Sequence, residues 1–143
     1  MVSVPNSDVM KPVVTGSDCL LVSCSDLVPI FELLDFEFDE AFLEESAINS
    51  LQRSVKKHAS GECRNHYKFV VVNLDDPTLL LGRFIVSLDR ILSNYPNVKI
   101  EVFATAATGS DRILKKCQEL KVSFIAKPLS EAKLKSALKA HLS

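Results

Sequence analysis

The sequence predicts an α/β domain: a parallel sheet covered by helices on both faces. Three observations carry this. Short apolar runs alternate with segments of helical periodicity, strand and helix, five times along the chain. The runs are brief and almost wholly apolar, as strands buried on both faces are. Alternation of this kind builds one covered sheet with right-handed crossovers. The length of 143 residues, with 47% hydrophobic and 24% charged, suits a single soluble domain with one core.

The elements follow in order. Residues 1–17 contain two prolines and no sustained period, so they read as a flexible arm ahead of a folded domain spanning 18–143. Cys19–Val22 is the first buried strand. Ser25 or Asp26 stands ready to cap a short helix carrying Ile30, Leu33 and Leu34, with Pro29 tolerated in its first turn. Phe36–Phe42 is a weaker second strand, and Ala47, Ile48, Leu51 and Val55 mark a helix over Ser46–His58. Residues 59–67 form a polar loop, and Phe69–Leu74 is the third strand. Leu81, Phe84, Ile85, Leu88, Ile91 and Leu92 make a wide helical stripe that Asn94-Tyr95-Pro96-Asn97 closes. Val98–Ala104 is the fourth strand, followed by a small-residue loop over Thr105–Gly109. Ser110 caps a helix with Ile113, Leu114, Cys117 and Leu120 on one face. Val122–Ala126 is the fifth strand. Ser130 then caps a last helix with Leu134, Leu138 and Leu142.

Composition removes several function classes. A formal net charge of -1 gives no electrostatic reason to bind nucleic acid or an anionic membrane. The basic cluster Arg53–His58 reads as a solvated helix end. No run reaches the length of a membrane span, and the first residues lack a signal-peptide pattern. Cys19, Cys24, Cys63 and Cys117 form no CxxC pair and no zinc pattern. Cys19 and Cys117 lie on apolar stripes as core residues, which fits a reducing cytoplasmic or nuclear setting. His58, His66 and His141 fall on polar segments and are expected at the surface. None of Gly16, Gly61, Gly82 and Gly109 opens a phosphate-cradling loop after a strand.

In such sheets the ligand crevice lies beyond the carboxyl ends of the strands. The positions to inspect are therefore Ser23–Asp26, Asn73–Pro77, Thr105–Ala107 and Lys127–Pro128. From about Asp18 onward these positions resemble the receiver domains of two-component response regulators. Val70-Val71-Val72-Asn73 with Pro77 is similar to the segment bearing the phosphorylated aspartate. Thr105-Ala106 is similar to the pair that contacts the phosphoryl group, Phe124 to the aromatic switch, and Lys127-Pro128 to the family's lysine and proline. The resemblance implies a flavodoxin-like sheet of order 2-1-3-4-5, with Asn73 at the switch point.

The departures imply a degenerate, or pseudo-receiver, type. Asn73 replaces the nucleophilic carboxylate with a neutral amide, which cannot form an acyl phosphate. The acidic metal pair falls at Cys24 and Ser25, or at Ser25 and Asp26 if the register shifts by one. A hard dication wants charged oxygen ligands, so no tight metal and no cofactor is expected. The side chains of Asp75 and Asp76 are expected to cap the following helix or face water. Lys127 is expected to pair with the Asn73 amide oxygen, a serine hydroxyl or Asp26, because an unpaired buried ammonium is costly. Thr105 reads as a vestigial switch hydroxyl and Phe124 as packing. The resulting expectation is no enzyme, but a phosphorylation-independent interaction module. It would dock a signalling kinase, a phosphotransfer protein or its own parent chain through residues 110–142. The alternatives are an active phosphoacceptor using Asp26, Asp75 or Asp76, and a flavodoxin-like enzyme.

Overall fold

The computed structural model of the protein describes residues 16–141. Most of the expected N-terminal arm, and Leu142 of the last stripe, lie outside them. Strands β1 (Cys19–Val22), β2 (Phe38–Ala41), β3 (Phe69–Asn73), β4 (Glu101–Ala106) and β5 (Ser123–Ala126) form one sheet of order β2-β1-β3-β4-β5. Every neighbouring pair is parallel. The helices are α1 (Val28–Leu33), α2 (Glu44–Ala59), α3 (Leu81–Leu92), α4 (Asp111–Glu119) and α5 (Glu131–Ala137). The predicted fold class and strand order are therefore observed.

Strand periodicity explains why the runs are apolar throughout. Successive side chains point to opposite faces. Leu20, Val22, Val70, Val72, Val102 and Ala104 pack in one cluster with residues of α2, α3 and α4, such as Leu51, Phe84 and Cys117. Cys19, Leu21, Phe69, Val71, Phe103 and Ile125 pack in a second with Phe31 of α1, Leu134 of α5 and Leu138 just past its end. The two edge strands read differently. β5 buries Ile125 alone, while β2 exposes Asp39 and Glu40 and buries Ala41 alone, so acids guard its open edge. Ser110 and Ser130 cap α4 and α5 as expected, accepting from the N–H groups of Ile113 at 3.3 Å and Lys133 at 3.1 Å.

Three local expectations are corrected. Neither Ser25 nor Asp26 caps α1: a 3-10 turn over Ser25–Leu27 precedes it, and neither segment begins with a side-chain cap. That tighter turn alters the helical phase, so Leu27 and Phe31 are buried while Leu33 is 72% exposed. Thr105 and Ala106 belong to β4 rather than to a loop, because Asn73 pairs with Thr105 and extends the ladder. His141 is not a free surface residue. Its ring lies 4.7 Å from that of Phe69, and Nε2 is 2.8 Å from Glu101 Oε1.

Candidate functional site

Alternation along the strands also places the site. Asn73, Thr105 and Lys127 each stand two residues after a member of the α1/α5 cluster: Val71, Phe103 and Ile125. They therefore reach the carboxyl edge of three adjacent strands on one face. The turn after β1 joins them, where Ser23 adopts a left-handed φ of 57°.

The Asn73 amide is satisfied at both ends. Its Nδ2 donates to the Ser23 carbonyl at 2.9 Å, while Oδ1 accepts from Lys127 Nζ at 3.1 Å and from the Asp75 N–H at 3.0 Å. This pattern fixes the amide's orientation, since only the NH2 group can face a carbonyl. Lys127 contacts three acceptors: Asn73 Oδ1, Asp75 Oδ2 at 3.0 Å and Asp26 Oδ2 at 3.2 Å. An ammonium has three protons to give, so this set suffices. Burial opposes its charge, but the hydrogen bonds and charges of Asp75 and Asp26 outweigh burial and raise its pKa. Two of the partners considered for Lys127, Asn73 and Asp26, are thus present; Asp75 is an addition.

Asp75 and Asp76 do not cap α3, whose N-cap residue Leu80 makes no side-chain cap. The Leu80 N–H instead donates to Glu44 Oε1 at 3.1 Å, and Arg83 Nε binds Glu44 Oε2 at 2.6 Å. Asp75 turns back over the site, and both its oxygens accept from the Ala107 N–H, at 3.1 and 3.0 Å. Lys127, then Ala107, hold its carboxyl below the usual aspartate range. Asp76 accepts from Thr78 Oγ1 at 2.7 Å, from Ser23 Oγ at 2.7 Å and from the Thr78 N–H at 2.9 Å, and is lowered likewise.

The β1 end separates the candidate pair. Cys24 is buried, and its thiol donates toward the carbonyls of Val22 at 3.2 Å and Val71 at 3.4 Å. Burial first, and Asp26 next, push its pKa up to about 12, so the group is a neutral thiol at neutral pH. Ser25 is exposed and opens the 3-10 turn. Asp26 reaches Lys127. Ser23, inspected but assigned no role, is the β1-end residue that touches Asn73. Continuing the alternation Cys19, Leu21, Ser23 was the signal that could have found it. Thr105 is fully buried, and its Oγ1 has no hydrogen-bond partner among the described residues. Half-buried Phe124 lies against Gly109, where an added Cβ would come within 3.1 Å of the ring. The Lys127–Pro128 peptide is cis. Beside Lys127 an open depression of about 430 Å³ is lined by Asp26, Ile30, Ala107 and Pro128.

Chemically, the arrangement presents a fully bonded neutral amide, a lysine whose charge is compensated, and no free carboxylate beside either. Among the described residues, no three His, Cys, Asp or Glu side chains gather as a metal site would require. No helix among them is long and apolar enough to cross a membrane.

No protein-family model matches the chain, and no curated protein does. Solved structures do match in fold. The receiver domain of the histidine kinase CKI1 from Arabidopsis thaliana, complexed with Mg2+, superposes with a TM-score of 0.71 at 10% identity, over 91% of this chain and 94% of that one. A two-component response regulator from Legionella pneumophila gives 0.68 at 17% identity, over 87% and 97%. The CheX-CheY-BeF3-Mg+2 complex from Borrelia burgdorferi gives 0.60 at 23% identity, over 90% and 92%. At these identities the likeness is one of fold: this chain has the flavodoxin-like architecture of receiver domains.

Proposed function

We propose that this chain is a receiver-like signalling domain that works without phosphorylation, as a protein-interaction module rather than an enzyme. The observation that carries the reading is Asn73. A neutral amide ends the central strand, and its three hydrogen bonds to Ser23, Asp75 and Lys127 leave it neither nucleophilic nor available. The nearby acids are engaged as well, Asp26 and Asp75 with Lys127 and Asp76 with Ser23 and Thr78. A dication would have to strip these pairs before it found charged oxygen ligands. The domain then acts through shape, and α4, β5 and α5, within residues 110–142, present the docking face. Support comes from α4, which buries Cys117 but leaves Leu114 43% exposed. A receiver of the same fold has been solved in complex with another protein, CheX.

The test is intact-mass analysis after incubation with acetyl phosphate and magnesium. The mass is expected to stay unchanged. A stoichiometric, base-labile phosphoryl adduct would overturn the reading and direct attention to Asp26, Asp75 or Asp76.

A further inference from the structure

Two hydrogen-bond donors from different strand ends converge at one place. One is the Ala107 N–H, just past β4; the other is Lys127 Nζ, just past β5. Together they form the kind of donor set that binds oxyanions, a cation beside a main-chain N–H. That place is filled by the Asp75 carboxylate, with contacts of 3.0 to 3.1 Å. The filling group comes from a third loop, 32 residues from Ala107 and 52 from Lys127 in sequence.

We propose that Asp75 is a resident ligand, a carboxylate of the chain itself that occupies an oxyanion site made by Lys127 and the Ala107 N–H and keeps external oxyanions out. The proposal deepens the phosphorylation-independent reading and rests on it: a site already holding its own anion keeps three loops joined with no phosphoryl group supplied. Charge supports exclusion. Lys127 carries +1, while Asp26 and Asp75 carry -1 each, so an approaching anion meets a net negative cluster. An intramolecular ligand also competes at an effective concentration of roughly millimolar or above, without association cost. Exchange is nonetheless physically open, because the Asp75 side chain is 37% exposed and regains water when displaced.

The experiment is a titration of 15N-labelled protein with sodium phosphate at constant ionic strength, reading the Ala107 and Asn73 amide shifts. The wild type is expected to show only small, non-saturating changes. Asp75→Asn keeps the side chain's shape and removes its charge, so both amides should shift saturably. Adding Asp26→Asn should tighten the apparent Kd by about fivefold, the size expected for losing one partly exposed charge partner. Asp75→Ser serves as a second variant should the amide disturb the loop. A wild type that saturates as readily as Asp75→Asn would overturn the proposal. So would natively folded Asp75→Asn and Asp75→Ser that both fail to saturate. A covalent adduct on the wild type tests the earlier reading and gives a mass change, whereas failure here appears only in reversible shifts, so the two are distinguishable.

Discussion

One amide at position 73 holds three partners, and its replacement by a carboxylate can be worked out atom by atom. Asn73→Asp removes the donor to Ser23 O and sets two oxygens against each other, while Lys127 stabilises the new charge and Asp75 repels it. The variant is expected to fold and to lose about 1 kcal/mol of stability in urea unfolding, the cost of losing one part-buried hydrogen bond. It should also show no magnesium-dependent phosphorylation, since Ser23 and Cys24 supply no anionic ligand. Asn73→Asp with Ser23→Asp should bind magnesium measurably in an NMR titration, because a left-handed φ tolerates aspartate. If the single variant phosphorylates as well as the double, Asp26 already serves the metal. The thiol of Cys24, protonated up to a pH of about 12, should resist iodoacetamide at pH 8 in the folded protein. Half-exposed Cys63 should label first, as peptide mass mapping would read. Asn73 and Lys127 were legible in the sequence because each ends an apolar strand. The role of Asp75 was not, because its partners are set by two other strand ends that only the folded sheet brings near.

At the level of elements, two helices, α1 and α5, cover one side of the sheet, against three on the other. Phe31→Ala empties a fully buried ring position and should cost about 3–5 kcal/mol. Leu33→Ser, two residues on and facing water, should change stability by no more than about 0.5 kcal/mol. Urea unfolding of the pair decides the helix phase, and equal losses would mean that the 3-10 turn does not set it. This phase is the part of the fold that periodicity did not reveal. A six-residue helix shows less than two turns of pattern, and the turn before it does not share the 3.6 period. The longer α3 was legible because its stripe repeats over three turns. The spans of β1 and β3 were close because burial on both faces leaves no polar position among Cys19–Val22 and 69–72. β4 begins at Glu101 rather than Val98 and ends two residues later than expected, because its last residues are small and look like a loop until paired with β3.

Across the whole molecule, carboxylates join segments distant in sequence, and three of them are held below their ordinary pKa. Glu44 links α2 to the start of α3, Asp75 links the β3 loop to the ends of β4 and β5, and Asp76 links that loop to the β1 turn. All three have folded pKa values below their ordinary 4.5 or 3.8, Glu44 through Arg83 first. Each therefore adds stability that is complete above its unfolded pKa and is lost as pH falls through the lower folded one. The melting temperature should be nearly level from pH 8 to about 5 and decline below pH 4.5. Asp75→Asn should flatten that decline. A melting temperature that rises on acidification from pH 5 to 3 would contradict the assignment.

The strands all run the same way, and this polarity has a practical consequence for handling the molecule. Gly16 lies beside Asn65, ahead of β3, and His141 lies beside Glu101 and Phe69, the first residues of β4 and β3. Both ends of the described chain thus leave from the amino edge of the sheet, about 15–20 Å from the edge that carries Lys127. A fluorescent protein or a surface tether joined directly at Gly16 or at His141 would start from the rear of the molecule. Immobilising the span 16–141 by one of these residues or by the other should leave the same front open, with equal access for a titrant.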